Sequence, residues 1–309
     1  MSESRVAAVV VNYNAGEHLV RCVASLRAAG VEEVRIADNG SRDESLARLR
    51  ASDQGATVVE TGGNHGYGGG ANRGARNASA DYLLICNADL RVAPGAVARL
   101  ARRLDDEPGV AVVGPRLENE DGSLYPSART FPDLVDALGH AALGLVAPAN
   151  RFTRRYRMLD WDHGRAADVD WVSGACLMVR REVFEALAGF DESYFMYLED
   201  VDLCWRVWRA GWRVRYEPDA TVVHAQGVST DQTPYRMLAA HHRSMHRFAV
   251  RTTEGWRRAA LPAVSAGLVA RLGVAIAHRA VLGRWRRLPR PAVPGEAPAG
   301  RPGPAAANR

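Results

Sequence analysis

The 309-residue sequence contains no lysine, so arginine supplies all 40 of its basic side chains. This absence excludes enzyme classes that need a lysine amine, such as P-loop ATPases, Schiff-base and pyridoxal-phosphate enzymes, and nucleotidyltransferases that set lysines against phosphates. Cysteine is also scarce, since there are four, at positions 22, 86, 176 and 204, and none has CxxC spacing. We therefore expect buried free thiols, as in a reducing compartment. The chain begins with a strand-like run rather than a signal peptide, which predicts a protein on the cytosolic side.

Charge is divided unevenly along the chain. Residues 1–235 contain 26 arginines and 33 acidic residues, a net charge of −7, whereas residues 236–309 contain 14 arginines and 2 acidic residues, a net charge of +12. The length predicts about two domains with a sizeable core. The basic C-terminal region indicates an anionic partner, either membrane lipid or nucleic acid.

Short apolar runs alternate with amphipathic helical patterns in the first half of the chain. Such alternation predicts an α/β fold with a mostly parallel sheet covered on both faces. We predict strands at 6–11, 34–37, 57–60, 82–86 and 110–114, and helices at 17–29, 43–52, 70–79 and 94–104. Ser41 and Glu44 fit the S-x-x-E capping box, which predicts a helix start. Further on, we predict strands at 171–179, 212–216 and 221–224, and helices at 181–187 and 200–211.

Polar residues follow three of the predicted strands. Asn12, Tyr13 and Asn14 follow the first, Asp38 and Asn39 the second, and Asn87 and Asp89 the fourth. Ligands of such sheets bind at the carboxyl ends of the strands. The glycine-rich run 64–74 enters a helix, and a loop of this kind lets backbone N–H groups approach a phosphate. Together these features predict a nucleotide-binding cleft.

Several side chains in the predicted cleft have two interpretations from the sequence alone. Asp89 suits Mg²⁺ or Mn²⁺, or else caps the helix that follows. Glu199 and Asp200 either provide a general base or cap a helix, with Asp202 and Arg206 a surface ion pair. Three other features also have a functional and a purely structural interpretation. They are His224, a metal ligand only if its strand returns to Asp89; Ser173-Gly174, a ligand-binding or ordinary tight turn; and His241–Ser244, a phosphate contact or a solvated helix face.

The ordered set of motifs over residues 5–230 resembles glycosyltransferase family 2, the inverting enzymes of GT-A fold. The motifs are 10–14, 37–41, 64–74, 87–89, 173–176, 195–206 and 223–224. The segments 122–129, 195–203 and 241–244 narrow the resemblance to actinobacterial rhamnosyltransferases that act on N-acetylglucosaminyl-diphospho-polyprenol in arabinogalactan linker synthesis. The first acid of the family's DXD motif is Asn87 here, so we expect metal and donor to bind together.

The resemblance implies a role for each motif. It implies dTDP-L-rhamnose as donor, GlcNAc-diphospho-polyprenol as acceptor, Asp200 as the base that deprotonates the acceptor hydroxyl, and a divalent cation (Mg²⁺ or Mn²⁺) on Asp89 and His224. The residues implied for the nucleotide sugar are Asn12, Tyr13, Asn14, Asp38, Asn39, Gly66, Tyr67, Gly68, Asn72, Asn87 and Asp89. Those on the acceptor side are Trp171, Ser173, Gly174 and Glu199.

A lipid-linked acceptor explains the division of charge. Pro262 and Arg271 interrupt the apolar stretch 259–277, so we predict basic helices in the interface of an anionic membrane rather than a span, with a peripheral enzyme on the inner face of the plasma membrane. Residues 131–146 are either an acceptor-side surface or a buried helix.

We therefore expect a GT-A domain over 1–230, with a donor half at 1–114 and an acceptor half at 115–230. A helical basic region over 231–288 and a disordered proline-rich tail over 289–309 would follow it. Another family 2 donor or acceptor is the main alternative. A nucleic-acid-binding protein or a non-catalytic nucleotide scaffold leaves Asp89, Asp200 and His224 without a role, so we expect no nucleic-acid partner.

Overall fold

The computed structural model describes residues 5–52, 55–131, 158, 161–225 and 234–287. The strands are β1 Val6–Asn12, β2 Glu33–Asp38, β3 Thr57–Glu60, β4 Tyr82–Asn87, β5 Leu90–Val92, β6 Val110–Glu118, β7 Leu124–Tyr125, β8 Ala128–Arg129, β9 Ala167–Asp168, β10 Trp171–Val172, β11 Cys176–Arg180 and β12 Arg213–His224. The α-helices are α1 Glu17–Ala28, α2 Ser45–Ala51, α3 Gly66–Ala75, α4 Ala96–Asp106, α5 Arg181–Ala186, α6 Glu199–Arg209, α7 Pro234–Thr252 and α8 Leu261–Arg287. A 3₁₀ helix, Gly255–Ala260, precedes α8.

One mixed sheet organises the chain, in the order β3-β2-β1-β4-β11-β6-β12-β5. The first four strands in this order are parallel, and so is the pair β6 and β12. β11 runs antiparallel between β4 and β6. The predicted α/β class with a mixed, mostly parallel sheet is confirmed. The sheet contains strands from both sides of residue 114, and that position lies within β6.

Apolar side chains alternate between the two faces of the sheet, and helices cover both faces. In β1, Val9 belongs to a core cluster with residues of α3, α5 and α6, whereas Val10 belongs to the opposite cluster with residues of α1, α2 and α4. A two-residue side-chain period between two apolar layers produces this division. All four cysteines are free and buried in these layers, as predicted.

Parallel pairing brings the polar strand ends to one edge. Asn12 lies opposite Asp38, and Val11 lies opposite Asn87, so the carboxyl ends of β1, β2 and β4 are adjacent. At the far side of β6, His224 at the end of β12 pairs with Leu90, just after Asp89. The edge predicted for ligand binding therefore collects residues from across the chain.

The glycine run is helical, which corrects the predicted loop over 66–74 and the helix start at 70. α3 begins at Gly66, and its glycines let the helix approach the sheet closely. A Cβ on Gly74 would lie 2.6 Å from a Val9 methyl group, and one on Gly70 would lie 2.7 Å from the Asn39 amide. Glycine weakens an isolated helix, so this close tertiary packing, which the sequence pattern does not reveal, decides the conformation.

The predicted capping box is wrong. α2 begins at Ser45, and Asp43 Oδ1 accepts the Ser45 N–H at 3.1 Å. Ser41 Oγ accepts the N–H of Asn14 at 3.0 Å instead of capping the helix. Ser41 thus connects the ends of β1 and β2, a long-range contact that local spacing does not encode.

Three strand predictions also change. The segments 212–216 and 221–224 form one strand, β12, with a register shift between Glu217 and Thr221. Residues 171–179 form two strands because a turn at 173–175 separates β10 from β11. β5 was missed because it has only three residues. Apart from Phe131 itself, the segment 131–146 lies outside the described residues, as does the tail 289–309.

The C-terminal helices follow the sheet domain. Within the described residues, one helical stretch, Gly255–Ala280, is long and apolar enough to cross a membrane by length and composition, with a mean hydropathy of 1.8 and 11% of its window buried. Such evidence is weak for a single helix, because core helices of soluble proteins satisfy the same test.

Candidate active site

A cleft of about 690 Å³ opens at the carboxyl edge of β1 and β4, between the sheet and the segments 195–201 and 236–241. Twelve of the residues predicted for the site line it. They are Tyr13, Asn39, Gly66, Tyr67, Asn87, Asp89, Trp171, Ser173, Gly174, Glu199, Asp200 and His224. The fold thus brings the donor-side, metal and acceptor-side predictions to one cavity.

Asp89 and His224 meet at one end of the cleft. Asp89 Oδ1 lies 3.3 Å from His224 Nε2, and both side chains are about 10% exposed. The Asn87 amide lies 3.2 Å from the same ring nitrogen. Among the described residues, no group of three or more His, Cys, Asp or Glu side chains could hold a metal. One carboxylate and one imidazole with an accessible cavity beside them fit a hard cation that takes its remaining ligands from a diphosphate.

Asp200 lies in the first turn of α6 and lines the same cavity, where two backbone groups hold its carboxylate. Gly174 N–H donates to Oδ2 at 2.8 Å, and Val201 N–H donates to Oδ1 at 2.9 Å. Burial raises the pKa of Asp200 above its usual value, while these two hydrogen bonds act in the opposite direction. A fixed carboxylate with a raised pKa accepts protons better than an ordinary aspartate.

Gly174, in the turn between β10 and β11, lies against Asp200. A Cβ at this position would lie 3.0 Å from the Asp200 Cβ, so a side chain here would push Asp200 away by a few tenths of an ångström. The Tyr67 hydroxyl donates a short hydrogen bond to the Gly174 carbonyl. The turn therefore donates its Gly174 N–H to the Asp200 carboxylate. The sequence alone had left open whether this turn binds a ligand or is an ordinary tight turn.

Glu199 is the most buried acid in the cleft lining, at 5% exposure. Its Oε2 atom has no hydrogen-bond partner among the described residues. Burial, and secondly the charge of Asp200, raise the pKa of Glu199 well above its usual value. The protonated form of Glu199 is thus favoured beside an ionised Asp200.

Two left-handed residues lead into α6. Tyr197 and Leu198 have φ angles of 67° and 66°, a conformation that costs energy for side chains of this size. The segment is fixed by its neighbours, since Ser244 Oγ donates to the Met196 carbonyl at 3.0 Å and the Tyr197 ring contacts His241 at 5.2 Å between centroids. These contacts aim the start of α6 at the cavity.

α3 also holds this segment. Tyr67 N–H donates to the Phe195 carbonyl at 3.1 Å. Gly66 has a φ of 75°, and a Cβ there would lie 1.9 Å from the same carbonyl oxygen. Glycine is therefore required where α3 meets the segment that carries the acids.

Asn12, Asn14 and Asp38 do not line the cleft. Asn12 Nδ2 donates to Asp38 Oδ1 at 2.9 Å, and Asp38 Oδ2 accepts the N–H groups of Gly40 and Ser41 at 3.2 and 3.1 Å. Asn14 Oδ1 accepts the Arg42 N–H at 2.7 Å. These three side chains organise the turn that presents the cleft-lining residue Asn39, while their predicted contact with a nucleoside stays a prediction.

Gly68 and Asn72 lie on the side of α3 that faces Phe190. A Cβ on Gly68 would lie 2.8 Å from the Phe190 Cβ. Asn72 donates to the Phe190 carbonyl at 2.9 Å and accepts the Phe190 N–H at 2.9 Å. Both residues dock the segment after α5 against α3, and neither lines the cleft.

The interpretation of Asp202 and Arg206 as a surface pair is wrong. Asp202 has 0% exposure, and Arg206 Nε donates to its Oδ2 at 2.7 Å. Arg251 of α7 approaches the other oxygen at 3.2 Å. A buried carboxylate between two arginines anchors the helix that carries Asp200.

Sequence reasoning missed several cleft residues. Arg129 lies over the Trp171 ring, 5.0 Å from its centroid, and Tyr125 packs against the His224 ring at 5.8 Å. Both come from the motif 122–129, to which we assigned no role. The other lining residues without a sequence assignment include Met196, Arg236 and Met237. His241, left open between phosphate contact and solvated face, lines the cleft.

The family model described as glycosyl transferase family 2 matches residues 7–188. N-acetylglucosaminyl-diphospho-decaprenol L-rhamnosyltransferase of Mycobacterium tuberculosis is 39% identical over 82% of this chain and 86% of its own length. Rhamnosyltransferase WbbL of Escherichia coli is 26% identical over 70% of this chain and 81% of its own. The solved mannosyltransferase PcManGT from Pyrobaculum calidifontis, in complex with GDP-Man and Mn²⁺, aligns with a TM-score of 0.55 at 18% identity, over 93% of this chain and 80% of its own.

Proposed function

Because this chain belongs to glycosyltransferase family 2 and has its GT-A fold, we propose that it transfers L-rhamnose from dTDP-L-rhamnose to the GlcNAc of a polyprenyl-diphosphate acceptor. The observation that carries the proposal is one cavity whose lining includes both Asp200 and the pair Asp89 and His224. The 39% identity to a rhamnosyltransferase with a decaprenol-linked acceptor supports this choice of substrates.

In the proposed reaction Asp200 acts as the general base. Its carboxylate takes the proton of an acceptor hydroxyl, whose oxygen attacks the anomeric carbon of rhamnose as the bond to dTDP breaks. Attack from the face opposite the leaving group inverts the anomeric configuration. Gly174 and Val201 hold the carboxylate in one orientation throughout, so no rotamer search precedes proton transfer.

A divalent cation, Mg²⁺ or Mn²⁺, would be held by Asp89 and His224, and when bound it would neutralise charge on the dTDP leaving group. Because the described residues offer only this carboxylate and imidazole, its affinity for protein without donor should be low. We assign the lining residues Asn39 and Tyr13 to the donor side of the cavity and Trp171 with Glu199 to the acceptor side, in line with the motifs they belong to.

We place the enzyme at the inner face of the plasma membrane, where a polyprenyl-linked acceptor resides. The +12 net charge of residues 236–309 supports attraction to anionic lipid. The helices α7 and α8 make up most of the region 231–288, which we propose as membrane-associating.

A transfer assay with a panel of nucleotide sugars against GlcNAc-diphospho-lipid tests the proposal. We expect product with dTDP-L-rhamnose and inverted stereochemistry by NMR. Asp200→Asn should reduce the rate by at least about 10³-fold while donor binding persists, because a general base is lost without a change of shape. Glu182→Gln, an exposed acid on α5, is the matched control.

The outcomes distinguish an error in the assigned donor from an error in the assigned general base. Product with a different donor and none with dTDP-L-rhamnose would replace the rhamnosyl assignment and keep the family. Near-normal turnover of Asp200→Asn would show that another group is the base.

A further inference from the structure

Between residues 262 and 277, the exposed face of α8 consists entirely of apolar or small residues. The exposed positions between 262 and 277 are Pro262, Ala263, Ala266, Gly267, Val269, Ala270, Gly273, Val274, Ile276 and Ala277. Val269 is 72% exposed and Val274 is 56% exposed. An exposed helix face of this length without one polar side chain is unusual on a protein surface in water.

The polar residues of the same stretch point the other way. Arg271 extends to α7, where its Nη1 lies 3.1 Å from His242 Nε2, and Ser265 Oγ donates to the Leu261 carbonyl at 2.8 Å. Leu268 is buried on this inner face. The arginine that interrupts the apolar sequence is therefore compatible with an apolar outer face.

α7 is fixed to the catalytic domain. Arg251 pairs with Asp191 at 2.5 Å and with Asp202 at 3.2 Å, and Phe248 is buried in the core next to β10 and α6. α8 packs on α7. The orientation of the apolar face relative to the cleft is thereby set by the fold.

Charged and aromatic groups lie at the ends of the apolar face. Trp256 is 85% exposed, with the Arg257 guanidinium 6.0 Å from its ring centroid. Arg258 lies in the 3₁₀ helix just before α8, and Arg279 is exposed at the other end of the face. Tryptophan and arginine at the margins of an apolar helix are typical of the interface with anionic lipid.

We propose that α8 lies in the plane of an anionic membrane, with the face 262–277 in the acyl boundary and with Arg271 retained on His242. A span would require α8 to leave α7 and carry Arg271 into hydrocarbon. Neighbouring helix axes lie about 8–10 Å apart, and Arg236, Met237 and His241 of α7 line the cleft. In this arrangement α7 alone lies between the membrane-bound helix α8 and the active-site cleft.

The inference rests on the proposed function in one respect, the reason for membrane binding, which is to give the cleft access to a lipid-linked diphosphate. Vesicle binding needs neither donor nor acceptor, so failed transfer and failed membrane binding are distinguishable results.

Flotation of the full chain with vesicles of phosphatidylcholine and phosphatidylglycerol tests the surface. We expect Val269→Glu/Val274→Glu to lower the partition coefficient at least tenfold. Ala47→Glu/Ala98→Glu, which adds two charges at exposed positions of α2 and α4, should bind like the parent. Unchanged binding of the α8 variant, or a loss of self-association without a loss of vesicle binding, would overturn the proposal, the latter in favour of a second copy of the chain.

A depth measurement separates in-plane from spanning helices. Because all four native cysteines are buried, the cysteines introduced by Ala263→Cys, Ala270→Cys and Ala277→Cys, one at a time, can be labelled selectively with a fluorophore. An in-plane α8 predicts equal quenching of the three by shallow nitroxide lipids. A span perpendicular to the bilayer would separate the first and last labels by about 21 Å in depth, and graded quenching would refute the in-plane orientation.

Discussion

Replacing Asp202 with asparagine tests whether a buried ion pair holds the helix that carries Asp200. Asp202 has 0% exposure and lies between Arg206 at 2.7 Å and Arg251 at 3.2 Å. Asparagine keeps the shape and removes the charge, so Arg206 loses its carboxylate partner while Arg251 keeps only Asp191. Asp200→Asn, two residues earlier, removes a carboxylate that is held by backbone N–H groups alone.

Breaking a buried ion pair from one side costs about 3–5 kcal/mol. Arg206 keeps hydrogen bonds to the Leu187 and Gly189 carbonyls at 2.7 and 2.8 Å, and burial raises the pKa of Asp202 against the opposing effect of Arg206, so we expect no more than the lower end, about 3 kcal/mol. For a chain of this size that is a fall of about 6 °C in Tm. Asp200→Asn should change Tm by only about 2 °C or less, because the one backbone hydrogen bond lost at its amide nitrogen is worth about 1 kcal/mol and burial already disfavours the ionised form of Asp200.

Thermal unfolding followed by circular dichroism, with rhamnosyl transfer measured below Tm, checks both variants. The expected pattern is a large stability loss with residual turnover for Asp202→Asn, and intact stability without turnover for Asp200→Asn. An Asp202→Asn protein that melts with the parent would refute the role assigned to the ion pair.

Three further predictions concern the cleft. Glu199→Gln should gain stability relative to the parent as pH rises above about 4.5, because the parent's raised pKa makes ionisation of the buried acid unfavourable in the folded state; equal Tm differences at pH 5 and pH 8 would contradict this. His224→Ala should raise the Mg²⁺ or Mn²⁺ concentration for half-maximal rate about tenfold or more, with exposed His246→Ala as the control, and an unchanged metal titration would exclude His224 as a ligand. Gly66→Ala should lower stability by more than the ~1–2 kcal/mol of a left-handed alanine, because its Cβ would lie 1.9 Å from the Phe195 carbonyl oxygen; urea unfolding that matches the parent would show that segment 195–198 yields freely.

Local patterns predicted the elements whose side chains alternate regularly. Thr57–Glu60 was predicted to the residue, and β1, β2 and β4 within one residue at the ends. The glycine run 66–74 and the Ser41 capping box failed for one reason. In both, the conformation is decided by contacts with residues far away in sequence, Val9 and Ala37 for α3 and Asn14 for Ser41.

The site followed the same division. Polar strand ends pointed to Asp89, and acids after an apolar run pointed to Asp200, because unusual residue types stand out in a one-dimensional pattern; the fold places both in the lining of one cavity. The common residue types at the cleft, Arg129 and Tyr125, gave no such signal, although a motif contained them. Asp38 and Asn72 stand out in the same way, but the structure shows their polar groups bonded to other parts of the protein and away from the cleft lining, so their predicted contact with the donor stays a prediction.

The sequence by itself determined the α/β class, the family, the position of the acids and the separation of an acidic body from an arginine-rich C-terminal region, because periodicity, residue type and charge are properties of the chain. Only the tertiary structure decided that His224 returns to Asp89, that Gly174 orients Asp200, that Asp202 is buried, and that Arg271 turns inward and leaves α8 with an apolar outer face. Each of these depends on a contact between residues more than 20 positions apart or on which face of a helix packs, and strand pairing and helix packing alone establish such contacts.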